Sequence, residues 1–255
     1  MQLYRLTVAT IFQRKVWLIA LLCAGLLPMI LPYLTPYESN PTLIQPARAQ
    51  AAWVGLWVIT MLWVFFQAAR FGDDNARSGL GSYFLSSGMS AMSQLFQIWA
   101  ACLTFFLPLV CIAVAICWFG AMPSDPDQAN AWILLNFQYA GVFLITVAPL
   151  MMLSVALGSC VGGTVGYLVP LSLLLYGLYG VSYVEMIADS KDIPLLDWLF
   201  VASPHYHIAD LTDRFVFKLG SMVGDEWLQN AFYLAGVGFV WAAVSIVSFR
   251  SKGVS

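Results

Sequence analysis

Residues 71–90, FGDDNARSGLGSYFLSSGMS, carry polar and aromatic side chains whose chemistry is recognition rather than bond making. Asp73 and Asp74 offer negative charge, and Arg77 offers a guanidinium that can pair with a carboxylate. Tyr83 and Phe84 add two adjacent aromatic rings, and aromatic residues are common anchors at protein interfaces. The stretch therefore predicts a docking surface for a soluble partner.

The local sequence also predicts how this surface is built. Asp73, Asp74 and Asn75 are N-cap residues, so we expect a short helix that begins near Ala76 and ends at Gly88. Lying parallel to the membrane, such a helix would fit a groove on its partner by its aromatic side chains. The alternative is an ordinary polar loop whose charges stay in water and fix the topology.

His205 and His207, in the sequence PHYH, are weak candidates for a metal site. An H-x-H pair can bind copper or zinc. On a helix, however, residues two apart point in different directions, and the ten methionines are scattered along the chain. We therefore expect polar residues at a helix start and no metal cofactor.

Several classes of enzyme and transporter are disfavoured by the motifs that the sequence lacks. There is no G-x-x-x-x-G-K-[ST] loop for ATP, no G-x-S-x-G, no H-E-x-x-H and no Cys-x-x-Cys. Ion-coupled carriers usually keep an acid or base at bilayer depth, and the apolar segments described next hold none. The sequence thus predicts neither an enzyme nor a secondary transporter.

The chain must position these residues from within a membrane, because it is 61% hydrophobic and only 9% charged. A bilayer core of about 30 Å requires roughly 20 apolar residues in a helix. Six segments qualify as spans, at residues 16–34, 51–69, 92–119, 131–153, 163–184 and 229–249. We therefore predict a single all-α transmembrane domain over residues 1–255.

The orientation follows from the distribution of Lys and Arg. Seven of them lie before the first span, between the second and third spans, or after the sixth, whereas four lie on the opposite face. Because cytoplasmic loops are enriched in cations, both termini and residues 71–90 are predicted to be cytoplasmic.

Two segments outside the spans have helical patterns of their own. Residues 1–15 place Leu3, Leu6, Thr7, Thr10 and Ile11 on one stripe, which predicts an interfacial amphipathic helix; a frayed polar tail is the alternative. Between spans five and six, residues 193–201 are apolar but too short to cross, and Ser203-Pro204 then resembles a helix start. We predict a re-entrant or interfacial helical hairpin there, with a small external cap as the alternative.

The turn between spans four and five contains a small-residue repeat. Gly158, Gly162 and Gly166 recur every four residues, a spacing that lets two helices approach closely. The repeat predicts helix packing, either within this chain or against a second copy.

The order of these features resembles the membrane subunits of type-2 ATP-binding-cassette exporters. The resemblance covers nearly the whole chain: an amphipathic N-terminal helix, six spans, a polar segment after span two, a glycine-rich turn after span four and a long segment before span six. Its most specific local piece is DDNARSGLGSYFLSSGMSAMSQLF, which is similar to the coupling helix of that family. Where many members have Glu-Arg and Ser-Pro, this chain has Asp-Asp-Asn-Ala-Arg and Ser-Gly.

The resemblance implies a function and a set of partners. Residues Asp73, Asp74, Arg77, Tyr83 and Phe84 would dock on a separate ATPase subunit, which would bind the ATP and Mg²⁺. A second copy of the chain, or a homologue, would complete the translocation path in a bacterial-type cytoplasmic membrane. Lipid is expected as a further partner and nucleic acid is not. The competing interpretation is a non-transporting membrane anchor or assembly subunit for a soluble enzyme.

Overall fold

The computed structural model describes residues 2–31, 34, 41–191 and 194–251, and within these ranges every regular element is helical. The predicted all-α membrane fold is confirmed, because five helices are long and apolar enough to cross a bilayer. Residues 32 and 33 of the first predicted span and Ile193 of the predicted hairpin lie outside the described residues.

The helices follow one another with short connections. They are α1 (Gln2–Gln13), α2 (Val16–Ile30), α3 (Pro41–Ile59, a π turn at Thr60–Val64, then Phe65–Arg77), α4 (Leu80–Ser86), α5 (Ala91–Ala115, with a π turn at Ile116–Gly120), α6 (Pro126–Val161), α7 (Gly163–Leu175, a π turn at Tyr176–Gly180, then Val181–Lys191), α8 (Pro194–Ala202), α9 (Thr212–Val216) and α10 (Gly224–Ser248).

The spanning helices are longer than the predicted apolar segments. The second and fourth predicted spans, 51–69 and 131–153, lie within helices Ile44–Arg77 and Pro126–Val161 of 34 and 36 residues. At 1.5 Å per residue these helices are about 50 Å long, well beyond a hydrocarbon core of about 30 Å. Their ends therefore carry polar residues into the headgroup region and water.

The first predicted span differs most from expectation. Helix α2 has only 15 residues, about 22 Å, and reaches membrane length only together with α1, from which it is bent by 69°. Lys15, with φ 54°, forms the bend. The amphipathic α1 is present, with Leu3, Thr7 and Ile11 buried. Leu6 was predicted to share this stripe but is 43% exposed.

Helix α6 is the centre of the bundle and packs against α3, α5, α7 and α10. Its buried hydroxyl side chains Thr146 and Ser154 find their hydrogen-bond acceptors within the same helix. Thr146 donates to the carbonyl of Val142 at 2.8 Å, and Ser154 donates to that of Leu150 at 3.0 Å. In a membrane this local pairing removes the penalty of an unsatisfied polar group.

The glycine repeat joins α6 to helices of the same chain. A Cβ on Gly158 would collide with the backbone carbonyl of Ala69 in α3, and a Cβ on Gly166 in α7 would collide with the backbone of Gly158. Gly162, with φ 100°, forms the turn that ends α6 and precedes α7. Gly72 in α3 approaches Val155 of α6 equally closely, although it lies outside the repeat.

The segment between α7 and α10 covers the end of the bundle opposite to α4. Gln138 of α6 donates to the carbonyl of Met222 at 2.9 Å and accepts from its amide at 2.8 Å. Tyr139 donates to Asp210, so a second contact also holds this segment on α6. Helix α8 exposes Leu195, Trp198 and Val201.

Within that segment, the helix predicted to begin at Ser203-Pro204 is not formed there. Ser203 instead donates back to the carbonyl of Leu199 in α8. A single 3₁₀ turn at Tyr206–Ala209 follows, and α9 begins only at Thr212. Bonds to α8 and α6 therefore replace the local helix-start pattern.

Substituting Gly158 by alanine should destabilise the bundle. The added methyl group has no room beside the Ala69 carbonyl, and overpacking of this kind costs about 1–3 kcal/mol. Thermal unfolding of detergent-purified protein measures the effect. Gly55→Ala is the control on α3, where a Cβ meets nothing within 4 Å and the substitution should be neutral or stabilising. Equal melting of the two variants would contradict the close crossing.

Candidate functional site

The predicted docking residues lie at one end of the bundle, the polar end. This end comprises α1, residues 71–90, the turn at 158–166 and residues 249–251. The backbone amide of Arg250 donates to Ser159 at 2.9 Å, and that of Tyr4 donates to Gln97 of α5 at 3.2 Å. Segments from the beginning, middle and end of the chain thus meet in one surface.

The three charged candidates are already paired within the chain. Arg77 and Asp73 form an ion pair of 2.6 Å one turn apart on α3, and Asp74 pairs with Arg14 at 3.1 Å. The guanidinium of Arg14 also lies 5.4 Å from the centre of the Phe71 ring. The Arg77 side chain is 70% exposed and that of Asp73 only 22%, so Arg77 is the member of this pair that is open to a partner.

The helix predicted to begin near Ala76 is wrong in its boundary. Helix α3 continues through Arg77, and α4 begins at Leu80 after Gly79 adopts φ 80°. Asp73, Asp74 and Asn75 therefore lie in the last turns of α3 and cap nothing. The reason is tertiary: the opposite face of α3, including Ala69 and Gly72, is buried against α6 and keeps the chain helical past its polar residues. The predicted end is close, since α4 stops at Ser86 and Gly88 has φ 90°.

The two aromatic candidates have different positions. Phe84 is 5% exposed and belongs to the hydrophobic core, whereas Tyr83 is 64% exposed. Their rings touch edge to face, with centroids 5.4 Å apart. Phe84 thus holds α4 on the bundle, and Tyr83 is the ring available to a partner.

A buried amide network fixes α4 to the helices on both sides of it. Gln94 of α5, fully buried, donates to the carbonyl of Gly81 in α4 at 3.1 Å. It also accepts from the Nδ2 of Asn75 in α3 at 3.1 Å. Gly81 itself packs so closely on the Ser251 carbonyl that a Cβ would collide with it. Helix α4 is therefore bonded to α5, which is itself bonded to α3, and α4 contacts the C-terminal segment.

Sequence reasoning missed Asn75 and Gln94 as members of this site. Asn75 was considered only as a cap, and Gln94 was counted inside the third span. The available signal was a glutamine at the start of an apolar segment, because a buried polar side chain requires a partner. Its partner could not be named from the sequence, since Gly81 contributes only its backbone.

The glycine turn lies beside the charged pair. A Cβ on Gly162 would approach the Arg77 guanidinium to 3.0 Å, and one on Gly163 would approach the Asp73 carboxylate to 3.3 Å. Of the three predicted packing glycines, Gly158 and Gly166 mediate helix contact, whereas Gly162 supplies the turn.

His205 and His207 lie at the opposite end of the bundle. Their ring centroids are 5.6 Å apart, and Nε2 of His205 lies 3.1 Å from the carbonyl of Phe200. Within the described ranges no three His, Cys, Asp or Glu side chains gather in a metal-binding arrangement. His205 also packs edge to face with the rings of Phe200 and Tyr233.

Comparison with known proteins identifies no relative: no protein-family model, no curated protein and no solved structure matches the chain. The functional argument therefore depends on the residues of the polar end and on the resemblance read from the sequence.

Replacing Gln94 by leucine should loosen α4. The change keeps the side-chain volume but leaves the Gly81 carbonyl and the Asn75 amide without their partner, at a cost of about 1–3 kcal/mol per buried group. Hydrogen exchange of residues 79–89 should accelerate. Gln97→Leu, one turn away, should instead loosen α1, since Gln97 accepts from Tyr4. Unchanged exchange of α4 in Gln94→Leu would show that the network does not hold it.

The opposite end should lose stability as the pH falls. Burial, reinforced by His205, lowers the pKa of His207 below its usual value, although Glu185 and the Gly177 carbonyl act in the opposite direction. The unfolded chain therefore binds this proton more readily, so stability falls as the pH drops through about 6.5 towards the lower folded value. His207→Gln should flatten the melting profile between about pH 7 and 5 and match the wild type at pH 8. A profile that stays unchanged would contradict this assignment.

Proposed function

We propose that the chain is the membrane subunit of an ATP-binding-cassette transporter of the type-2 exporter kind, driven by a separate ATPase. The ATPase docks on α4 at the polar end, which faces the cytoplasm together with both termini. A second copy of the chain, or a homologue, completes the translocation path. The observation that carries the proposal is the short helix α4, held rigidly at the ends of two membrane helices while presenting an exposed tyrosine.

The proposal requires a lever that moves with the bundle, and the contacts of α4 meet that requirement. Phe84 is buried beneath it, Gln94 bonds it to α5, and Asn75 links the same glutamine to α3. A force applied to α4 is therefore transmitted to two long helices rather than absorbed by a loose loop.

The exposed groups suit docking on a soluble protein. Tyr83 projects an aromatic ring with a hydroxyl, and Arg77 projects a guanidinium whose Nε is held by Asp73. Tyrosine and arginine are enriched among residues that dominate interface energies. In this assignment Tyr83 is the anchor and Arg77 pairs with an acid of the ATPase. Asp73 positions Arg77 and Phe84 positions Tyr83, while Asp74 pairs with Arg14.

Transport then follows from differential contact. ATP binding brings two ATPase subunits together, and energy reaches the membrane only if α4 makes different contacts in the open and closed arrangements. Movement of α4 tilts α3 and α5, and the central helix α6 follows through its contacts with both. Hydrolysis in the ATPase resets the arrangement.

The second half of the transporter has apolar surface to pack against. Only 22% of the most apolar stretch of helix α10 is buried, and Phe232 and Phe239 are exposed. Lipid covers whatever part of this surface the second copy leaves free.

Tyr83→Ala should weaken binding of the co-expressed ATPase by about tenfold or more and lower transport-coupled ATP hydrolysis, because it removes the anchor ring. The matched control is Tyr183→Ala: Tyr183 is 65% exposed, against 64% for Tyr83, but lies on α7 away from α4. Pull-down affinity and ATPase rate in proteoliposomes are the measurements.

The outcomes separate the proposal from its rival. Loss of coupling in Tyr83→Ala alone supports the lever, whereas equal behaviour of the two alanine variants overturns the docking site. An ATPase that binds through Tyr83 but whose turnover no cargo changes indicates the membrane anchor.

A further inference from the structure

Phe249, Arg250 and Ser251, the last described residues of the chain, form a short extended segment at the polar end. Helix α10 ends at Ser248, and Phe249 leaves the helix with φ −60° and ψ 133°. The segment then contacts α6 on one side and α4 on the other. We call residues 249–251 the C-terminal strap.

The strap is anchored in the core and on α6. Phe249 is 5% exposed and belongs to the hydrophobic core. The backbone N–H of Arg250 donates to Oγ of Ser159 at 2.9 Å. Ser159 is buried, and its hydroxyl donates in turn to the carbonyl of Ala156 at 2.7 Å. Because a backbone N–H removed from water requires an acceptor, Ser159 fixes the course of the strap.

On its other side the strap lies against α4. A Cβ on Gly81 would collide with the backbone carbonyl of Ser251, so the two backbones are in direct contact. The carbonyl of Gly81 accepts from Gln94, which fixes the same residue to α5. Close-packed atoms leave no space to absorb a shift. Helix α4 therefore cannot move towards the strap without displacing it.

The strap extends from the least buried of the membrane-length helices. Only 22% of the most apolar stretch of α10 is buried, whereas the other four helices of this length bury 33% or more. Apart from the strap, α10 packs mainly on α6, where a Cβ on Gly238 would come within 2.8 Å of the Pro149 ring. Without the strap, a movement of α4 would reach α10 through α6.

We propose that the C-terminal strap couples α10 directly to the docking helix α4, so that the two helices move together. This inference rests on the proposed docking of the ATPase at α4, and it adds a route that does not pass through α6. Since α10 exposes Phe232 and Phe239, the strap brings the displacement of α4 to the surface against which the second copy packs. Ser159 is a positioning residue, because it acts by holding the strap on α4.

The connection itself is tested in the detergent-purified full chain, without the ATPase. Ser159→Ala removes the acceptor of the Arg250 amide. Hydrogen exchange of the strap should accelerate about three- to tenfold, the range expected for one hydrogen bond. Exchange of residues 79–89 should accelerate with it, because the strap no longer holds Gly81.

The matched control is Ser251→Ala. Ser251 is 5% exposed, against 4% for Ser159, but its hydroxyl has no hydrogen-bond partner in the described part of the chain. This variant keeps the Ser251 carbonyl on Gly81 and should exchange like the wild type. Gly81→Ala perturbs the contact from the α4 side, so it should accelerate exchange of residues 245–251 with Ser159 intact.

The coupling is tested in nanodiscs with the co-expressed ATPase. Addition of ATP should change the exchange of residues 245–251 in the wild type and in Ser251→Ala. Ser159→Ala should lose most of this change. It should still bind the ATPase as tightly as the wild type, because Tyr83 and Arg77 are untouched.

The outcomes distinguish the strap from the docking site. Faster exchange of α4 in Ser159→Ala but not in Ser251→Ala, with loss of the ATP-dependent change in the first variant alone, supports the proposal. Unchanged exchange of α4 in Ser159→Ala overturns the connection, and a full ATP-dependent change in that variant overturns the coupling. If the wild type binds no ATPase, the proposed function fails and the transmission fails with it. Exchange in the purified chain still decides whether the strap joins α10 to α4.

Discussion

The close crossing of α3 and α6 at the polar end is the contact on which the rest of the arrangement depends. Ala69 and Gly158 meet backbone to backbone, and Gly72 meets Val155 in the same way. Inside a bilayer, helices associate through such close packing because lipid is as apolar as the side chains it would replace. The crossing holds the end of α3 in place, and with it the origin of α4.

The buried amide network connects α4 to the end of α3 that this crossing holds in place. Gln94 of α5 donates to the Gly81 carbonyl of α4 and accepts from Asn75 of α3. One side chain therefore connects two long helices and the short one. Both polar atoms of the Gln94 amide are bonded, and a buried amide bonded in this way specifies one geometry. The paired charges Asp73–Arg77 and Asp74–Arg14 lie outside this network and are partly exposed. They orient the surface and contribute little to stability.

Hydrogen bonds from buried side chains also order the opposite end of the molecule. At the opposite end, Gln138 binds both backbone groups of Met222, and Tyr139 binds Asp210, so a long connecting segment is held by side chains of α6.

Much of the fold was predictable because membranes make composition decisive. The absence of charge over five long segments was enough to locate the spanning helices, and the spacing of Leu3, Thr7 and Ile11 was enough to predict α1. Boundaries were harder. Asp73, Asp74 and Asn75 have the residue types of a helix start, yet they lie within α3, since burial of the opposite face outweighs a local capping preference. The helix start predicted at Ser203-Pro204 was also wrong, because Ser203 bonds back to the Leu199 carbonyl of α8.

The sequence by itself determined that this protein is a helical membrane protein, that polar and aromatic residues concentrate after its second span, and that glycine spacing favours close helix contact. Only the tertiary structure decided that Phe84 is buried while Tyr83 is exposed, that Gly158 faces Ala69 of the same chain, and that Gln94 joins Asn75 to Gly81. Hydrophobic periodicity and charge are properties of a segment and can be read along the chain. The partner of a buried side chain is a property of how helices cross, and residues distant in sequence supply it.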